Sequence, residues 1–290
     1  MKPRPFDYQR VASLPEAYAL LSEYGEGAKV VAGGQSLVPM MNLRLVSPLL
    51  LLDIGAIDEL RGVSLNGDML RIGALVRHCD IEASELIARH APLLAKAVEH
   101  VAHMAVRNRG TFGGSCCHAD PAAEFPACSL LLGAVMEVGS IRGVREIAAA
   151  DFFHGPFMTA VEPDELLLAV HIPAAVPDAL FAFHELSRRQ GDYALSGVVA
   201  RARCVGDAWI TDWVAFGVSD RPVVLPSVKR LFDDHGPLML GGSDVERAIA
   251  YDLPDDGSET ENVRFRRVLT AELVQRCRGE FSGYFTGQVM

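Results

Sequence analysis

Positive charge is scarce in this chain of 290 residues. Lysine and arginine together number 27 against 37 aspartates and glutamates, so the formal net charge is -10 and the pI lies near 5.4. Proteins that read nucleic-acid phosphates need clustered lysine and arginine to displace counterions. The composition therefore argues against nucleic acid as a partner.

Long apolar runs are also lacking. The stretches Leu49 to Ile54 and Phe125 to Val138 are too short for a bilayer span or are diluted by Cys, Gly and Glu. The N-terminal segment MKPRPFDYQRVASLPEAYALL is interrupted by Pro, Asp and Gln before any apolar run of signal-peptide length. We therefore expect no transmembrane segment and a cytoplasmic location.

Cysteine is sparse, and its spacing matches neither a small disulfide scaffold nor a zinc ribbon. Adjacent Cys116 and Cys117 do not fit the Cys-x-x-Cys runs that commonly hold iron-sulfur clusters. Reduced thiols are the expectation, and any iron-sulfur cluster would belong to a partner. The six positions are Cys79, Cys116, Cys117, Cys128, Cys204 and Cys277.

Apolar residues make up half of the chain, enough for a sizeable core divided among two or three domains. A helical apolar period runs from Leu14 to Leu21, and apolar strands are predicted at Lys29 to Ala32 and Leu49 to Ile54. Strand, helix and glycine turn in this order are typical of mixed α/β architecture. Residues 1–56 are the predicted first subdomain.

A second subdomain is predicted over residues 57–176. It opens with a hairpin whose turn is Asn66-Gly67, a pair that supplies positive φ angles. Helical periods follow from Asp80 to His90 and from Leu93 to Met104, and then a glycine-rich stretch interrupts all regular pattern. A strand from Leu166 to Ile172 closes the unit.

The third predicted domain covers residues 177–290. Pro173 and Pro177 mark the linker before it, because two prolines four residues apart resist both helix and ladder pairing. Three strand-like segments and then three helical stretches predict a small antiparallel sheet packed on helices.

Two paired-glycine segments are the main candidates for a binding site. Ala32-Gly33-Gly34-Gln35-Ser36-Leu37 follows an apolar strand, and Gly110-Thr111-Phe112-Gly113-Gly114-Ser115 follows a predicted helix. Paired glycines let backbone N–H groups converge on an anion such as a pyrophosphate, and hydroxyls add donors. Taken alone, an isolated pair of this kind is more often only a tight turn. Neither segment has the spacing of a Walker P-loop or of a Gly-x-Gly-x-x-Gly dinucleotide fingerprint.

Four segments of the chain together carry a resemblance to a known family: 32–37, 106–115, 118–124 and 188–194. In this order they resemble the flavoprotein subunit of the xanthine oxidase family of molybdenum hydroxylases, especially the medium subunit of carbon monoxide dehydrogenase. The resemblance spans essentially the whole chain. It implies an α+β fold in which two mixed α/β subdomains clasp FAD, as in the vanillyl-alcohol-oxidase-like (PCMH-type) FAD-binding fold, followed by a C-terminal sheet-and-helix domain.

The resemblance implies a noncovalent FAD whose pyrophosphate lies on both glycine segments. It also implies that Asp120 and Glu124 accept hydrogen bonds from ribityl or ribose hydroxyls, that Tyr193 stacks on or gates the flavin, and that His184 lies near its N1/O2 edge. Family members usually carry Asn or Asp where Ser115 stands. The implied cofactor-binding residues are Val30, Val31, Ala32, Gly33, Gly34, Gln35, Ser36, Leu37, Ala102, Gly110, Thr111, Gly113, Gly114, Ser115, Ala119, Asp120, Glu124, Leu167, His184 and Tyr193.

The resemblance further implies a role in electron transfer, with no catalytic acid or base and no metal site on this chain. Molybdenum cofactor would lie on a large partner subunit and two-iron two-sulfur clusters on a small one, in a dimer of heterotrimers, a heterohexamer. Electrons would pass through FAD to an external acceptor.

Two other functions stay open from the residues themselves. A stand-alone flavin oxidase or dehydrogenase would need a general base. The candidates His78, His103 and His118 form no evident constellation. A noncatalytic assembly protein would use the glycine segments only as turns and dock a partner on its acidic surface.

Overall fold

The computed structural model describes residues 2–206, 208–236, 241–254 and 261–288. Two compact units make up the chain, and both are built from discontinuous segments. The first unit comprises Met1–Ile87, His103–Ala119 and Gly133–Ala174. The second unit comprises Ala88–Ala102, Asp120–Leu132 and Ala175–Met290.

Both units contain helices and strands. The helices are α1 (Leu14–Tyr24), α2 (Leu37–Asn42), α3 (His78–Ala83), α4 (Glu85–His90), α5 (Pro92–Val98), α6 (Met104–Arg107), α7 (Phe112–His118), α8 (Glu124–Leu131), α9 (Ala149–Phe152), α10 (Pro226–His235), α11 (Gly242–Asp252) and α12 (Glu261–Gln288). The strands are β1 (Asp7–Arg10), β2 (Ala28–Val31), β3 (Leu50–Asp53), β4 (Val63–Asn66), β5 (Met69–Gly73), β6 (Val135–Ser140), β7 (Gly143–Ala148), β8 (Phe153–Gly155), β9 (Met158–Thr159), β10 (Leu166–Pro173), β11 (Leu180–Ser187), β12 (Ala194–Val205), β13 (Ala208–Phe216) and β14 (Val223–Val224).

A three-stranded parallel sheet opens the first unit, in the order β1-β3-β2. Helix α1 connects β1 to β2, and its buried face carries Ala17 and Leu21. These side chains pack with Leu50 and Leu52 of the central strand β3. The predicted α1 helix and both predicted strands of this region are confirmed, and α2 adds a short helix directly after the first glycine segment.

The first unit also contains a five-stranded antiparallel sheet that helps to position the site. Its strand order is β4-β5-β10-β6-β7. The predicted hairpin is present, but its turn is shifted by one residue. Asn66 pairs with Met69, so the two-residue loop is Gly67-Asp68. Gly67 takes φ +62, which is typical of a type II′ turn that needs glycine only at its first position.

Three other sequence predictions are wrong in this region. The helical period from Asp80 to His90 is divided at Ser84 into α3 and α4, and α5 ends at Val98 rather than near Met104. The second glycine stretch is not irregular, because helix α7 begins at Phe112 and contains Gly113 and Gly114. Glycine has a low intrinsic helix propensity, and tertiary contacts override it here.

The second unit is built on a four-stranded antiparallel sheet in the order β11-β12-β13-β14. Trp213 lies at the centre of its core, with ring centroids 4.5 Å from Phe232 and 5.9 Å from Phe281. The predicted sheet-and-helix arrangement of the C-terminal region is present. The boundaries of the three-domain division remain a prediction.

Among the described residues, no helix is both long and apolar enough to span a membrane. In the described ranges, none of the six cysteines forms a disulfide bond.

Candidate cofactor-binding site

The first glycine loop, residues 32–36, connects β2 to α2 in the first unit. Gly34 takes φ +72, a backbone conformation that L side chains rarely adopt. An internal hydrogen bond stabilises the loop, since the Gln35 side-chain amide donates to the Gly33 carbonyl at 3.0 Å. Val38 donates its backbone N–H to the Gly34 carbonyl at 3.2 Å and so begins the following helix.

The backbone donors of the first glycine loop are the most telling feature of the site. Within the described part of the chain, the N–H groups of residues 33–37 make no hydrogen bond. All five residues are partly exposed, so these donors can reach a ligand. Consecutive backbone N–H groups without partners form a concavity that suits an anion. The loop therefore has the donors that a pyrophosphate needs.

The second glycine segment, residues 110–115, uses its donors differently. Phe112 donates its N–H to the Val76 carbonyl at 2.9 Å, and Gly113 donates to Ala74 at 3.1 Å. Gly114 donates to the Thr111 hydroxyl oxygen at 3.1 Å, which makes Thr111 the N-cap of α7. These bonds fasten the segment to the residues that follow β5, so the N–H groups of Gly113 and Gly114 already have partners.

The two glycine segments are in direct contact. A Cβ atom built on Gly33 would lie 2.3 Å from the Arg109 carbonyl oxygen and 2.8 Å from the Gly110 Cα. Real Cβ contacts are never this close, so only glycine allows the two backbones to meet here. The prediction that these distant segments belong to one site is supported by this contact, which lies entirely within the first unit.

We expect Thr111→Val to lower the free energy of unfolding by about 1 kcal/mol, because valine has the shape of threonine but cannot accept the Gly114 N–H. Thr111→Ser keeps the hydroxyl and is the matched control. Urea unfolding followed by circular dichroism measures both variants. Equal stability of the valine variant and the wild type would show that this cap contributes nothing.

Four further predicted binding residues lie in the first unit. Val30 and Val31 end strand β2 directly before the first glycine loop. Ala119 ends α7 with φ +49, and its carbonyl accepts the Phe157 N–H at 3.1 Å. Leu167 is buried in β10 next to an irregularity in the pairing with β6. Their contact with a cofactor stays a prediction.

The remaining predicted residues belong to the second unit: Ala102, Asp120, Glu124, His184 and Tyr193. One Asp120 carboxylate oxygen already accepts the Ala122 N–H at 2.9 Å. Ala102 has φ +45, and Tyr193 is 62% exposed immediately before β12. A cofactor role for these five residues stays a prediction.

Glu124 and His184 are members of two charged clusters within the second unit. Burial raises the pKa of Glu124 to about 8, and the Glu185 carboxylate contributes in the same direction. His184 Nε2 lies 2.7 Å from Glu280 Oε1, and Lys96 Nζ lies 2.9 Å from Glu280 Oε2. The hydrogen bond from His184 and the Lys96 cation lower the pKa of Glu280.

Sequence reasoning missed the supports beneath the second glycine segment. Ala74 follows β5, donates its N–H to Leu168 of β10 and accepts the Gly113 N–H. His78 was considered only as a general base, whereas its backbone N–H donates to the Gly110 carbonyl at 3.0 Å. No local pattern marks these residues, because their role depends on contacts with a segment more than 30 positions away.

The fold and the paired glycine segments define an FAD-binding domain joined to a sheet-and-helix region. The chain belongs to the family described as the FAD binding domain in molybdopterin dehydrogenase, which matches residues 4–175. The nicotine 6-hydroxylase medium subunit of Paenarthrobacter nicotinovorans is 42% identical over 284 residues, covering 95% of this chain and 97% of the relative. The predicted family is confirmed.

Solved structures agree with this assignment. Quinoline 2-oxidoreductase from Pseudomonas putida 86 matches with a TM-score of 0.85 and 34% identity, covering 97% of this chain and 98% of the other. Carbon monoxide dehydrogenase from Hydrogenophaga pseudoflava matches with a TM-score of 0.86 and 31% identity, covering 95% and 96%. The predicted α+β, PCMH-type fold is confirmed.

The residues of the first unit fit FAD, the cofactor of this flavoprotein subunit of an oxidoreductase. The first glycine loop offers backbone donors, and Thr111 and Ser115 offer hydroxyls at the neighbouring segment. When bound, FAD supplies electron transfer in one-electron or two-electron steps, while the protein sets its position and surroundings.

Proposed function

We propose that this chain holds one FAD noncovalently and carries electrons within a heteromeric molybdenum hydroxylase. It takes electrons from the two-iron two-sulfur clusters of a small partner subunit and passes them to an external acceptor. A large partner subunit holds the molybdenum cofactor, and the complex is a dimer of heterotrimers in the cytoplasm. The curated relatives include medium chains of carbon monoxide dehydrogenases, which supports this assignment.

The single observation that carries the proposal concerns the backbone N–H groups of residues 33–37, which have no hydrogen-bond partner in the part of the chain that the structure describes and lie next to the second glycine segment. We propose that the two glycine segments contribute different kinds of hydrogen-bond donor to the pyrophosphate. The first glycine loop provides backbone N–H groups, and the second segment provides the Thr111 and Ser115 hydroxyls. Ser115 takes the place of the Asn or Asp that is usual in the family, so its shorter side chain reaches the phosphate through a bridging water rather than directly.

The side chains of this chain bind and tune rather than catalyse. Among the described residues, no group of three or more His, Cys, Asp or Glu side chains could hold a metal ion. The buried His78 lies beneath the glycine segment instead of facing a substrate pocket. We therefore expect no substrate oxidation by the isolated chain.

The absorption spectrum tests the proposal. The chain, purified with and without co-expressed neighbouring subunits, should show flavin bands that acid precipitation releases into the supernatant as FAD. Reduction of FAD by substrate should occur only when the neighbouring subunits are present. A colourless chain that cannot be reconstituted with FAD would overturn the flavoprotein assignment, and substrate turnover by the chain alone would favour a stand-alone flavin dehydrogenase.

A further inference from the structure

His78 lies directly under the second glycine segment. It opens α3 and is only 5% exposed. A Cβ built on Gly110 would stand 2.9 Å from the His78 Cε1 and 3.0 Å from its Nδ1, so the imidazole packs against the Gly110 Cα. The His78 backbone N–H also donates to the Gly110 carbonyl at 3.0 Å. One residue therefore holds Gly110 through both its ring and its backbone.

The surroundings of the imidazole favour its neutral form. Burial lowers the pKa of His78 to about 4, a hydrogen bond to the Thr111 backbone opposes the shift, and the Arg107 guanidinium adds to it. Arg107 lies on α6, and its Nε forms an ion pair with Oε2 of Glu82 on α3 at 3.1 Å.

Three further charged residues are close to His78 in the sequence, at the start of α3 or on it: Arg77, Asp80 and Glu82. Arg77 donates its backbone N–H to the Asp80 carboxylate at 3.1 Å, and both side chains are exposed. Arg107 of α6 acts electrostatically on the His78 imidazole.

We propose that His78 is the positioning residue that holds the second glycine segment in its FAD-binding arrangement, and that it does so only as a neutral imidazole. Protonation adds a buried positive charge close to Arg107, and the repulsion is relieved when Gly110 and the rest of the segment move away from the His78 ring. Acidification therefore opens the segment and releases FAD. This inference rests on the proposed function, because it assumes that FAD binds there.

The sign of the pH effect follows from linkage. In the closed segment the pKa of His78 is about 4, whereas an exposed histidine has a value of about 6.5. Between these values the open form binds more protons, so the closed form loses stability as the pH falls from about 6.5 towards about 4. If FAD leaves through the open form, its dissociation rate rises roughly 30-fold between about pH 7.5 and about pH 5.

The test measures the FAD dissociation rate of the full chain by recovery of flavin fluorescence, as a function of pH. We expect a steep rise on acidification for the wild type and for His103→Gln, which removes an exposed histidine of the same unit. We expect a nearly flat profile for His78→Gln, because an amide stays neutral over this range. An unchanged slope in His78→Gln, or a flat wild-type profile, would overturn the inference.

A second measurement does not depend on the variant folding. The imidazole resonances of His78 in the wild type should titrate well below pH 6.5 in the FAD-bound chain and nearer to pH 6.5 when FAD is absent. Identical, unshifted titration in both states would overturn the inference. A chain that binds FAD but releases it independently of pH contradicts only the role of His78, whereas a chain that never binds FAD contradicts the proposed function as well.

Discussion

Gly33→Ala should raise the dissociation constant for FAD by roughly 100-fold or more. The new Cβ would lie 2.3 Å from the Arg109 carbonyl oxygen and 2.9 Å from the Arg109 carbonyl carbon. Both atoms are backbone, so no side-chain rotation relieves the clash, and the two glycine segments must separate. The first loop then presents its N–H groups at the wrong distance from the hydroxyls of the second segment. Fluorescence titration of the FAD-free chain measures the change.

Gly155→Ala is the matched control for this prediction. Gly155 lies in the same unit, and a Cβ built on it would meet nothing within 4 Å. We expect this variant to bind FAD as the wild type does. Retention of wild-type affinity by Gly33→Ala would mean that the contact between the two segments is not needed for binding.

Gly113→Ala should lower the free energy of unfolding of the first unit by about 2 to 3 kcal/mol and abolish FAD binding. Its Cβ would lie 2.7 Å from both the Cα and the Cβ of Ala74 and 2.8 Å from the Ala74 carbonyl. Ala74 cannot retreat easily, since its N–H is bonded to Leu168 in the middle of the five-stranded sheet. Helix α7 must therefore shift and lose the bond between Gly113 and Ala74. Urea unfolding and FAD titration report the two effects.

Gly114→Ala is the informative comparison, because it changes the neighbouring glycine of the same pair. The Cβ built there meets only the Thr111 Oγ1, at 2.7 Å, and a side chain can rotate away. Loss of the cap lowers the free energy of unfolding by about 1 kcal/mol. The higher helix propensity of alanine relative to glycine raises it by about 1 kcal/mol. We expect nearly wild-type stability. Equal losses in both variants would contradict the distinct roles assigned to the two glycines.

The two glycine pairs look alike in sequence, but their glycines are needed for different structural reasons. Gly34 is needed for its positive φ, whereas Gly33 and Gly113 are needed because other backbones approach them closely. The first pair leaves its N–H groups free within the described residues, and the second uses its N–H groups to fasten α7. A motif written as two glycines therefore does not specify which group binds a phosphate.

Much of the fold could be predicted from local pattern. The apolar periods of α1, β3 and β10 are long enough to identify element type, and the glycine that follows Asn66 marks the hairpin. Boundaries were less predictable. The apolar run after Pro92 continues past Val98, although α5 ends there, so periodicity alone does not give the end of this helix.

The amino-acid sequence by itself determined the class of protein: its composition argued against nucleic-acid binding, and four ordered segments identified the flavoprotein subunit family. Only the tertiary structure decided that Gly33 touches Arg109 and that α7 rests on Ala74. It also decided that His78 supports Gly110. The physical reason is that a periodic pattern reports which face of an element is buried, whereas close backbone approach depends on how segments 30 to 80 positions apart are brought together by the sheet.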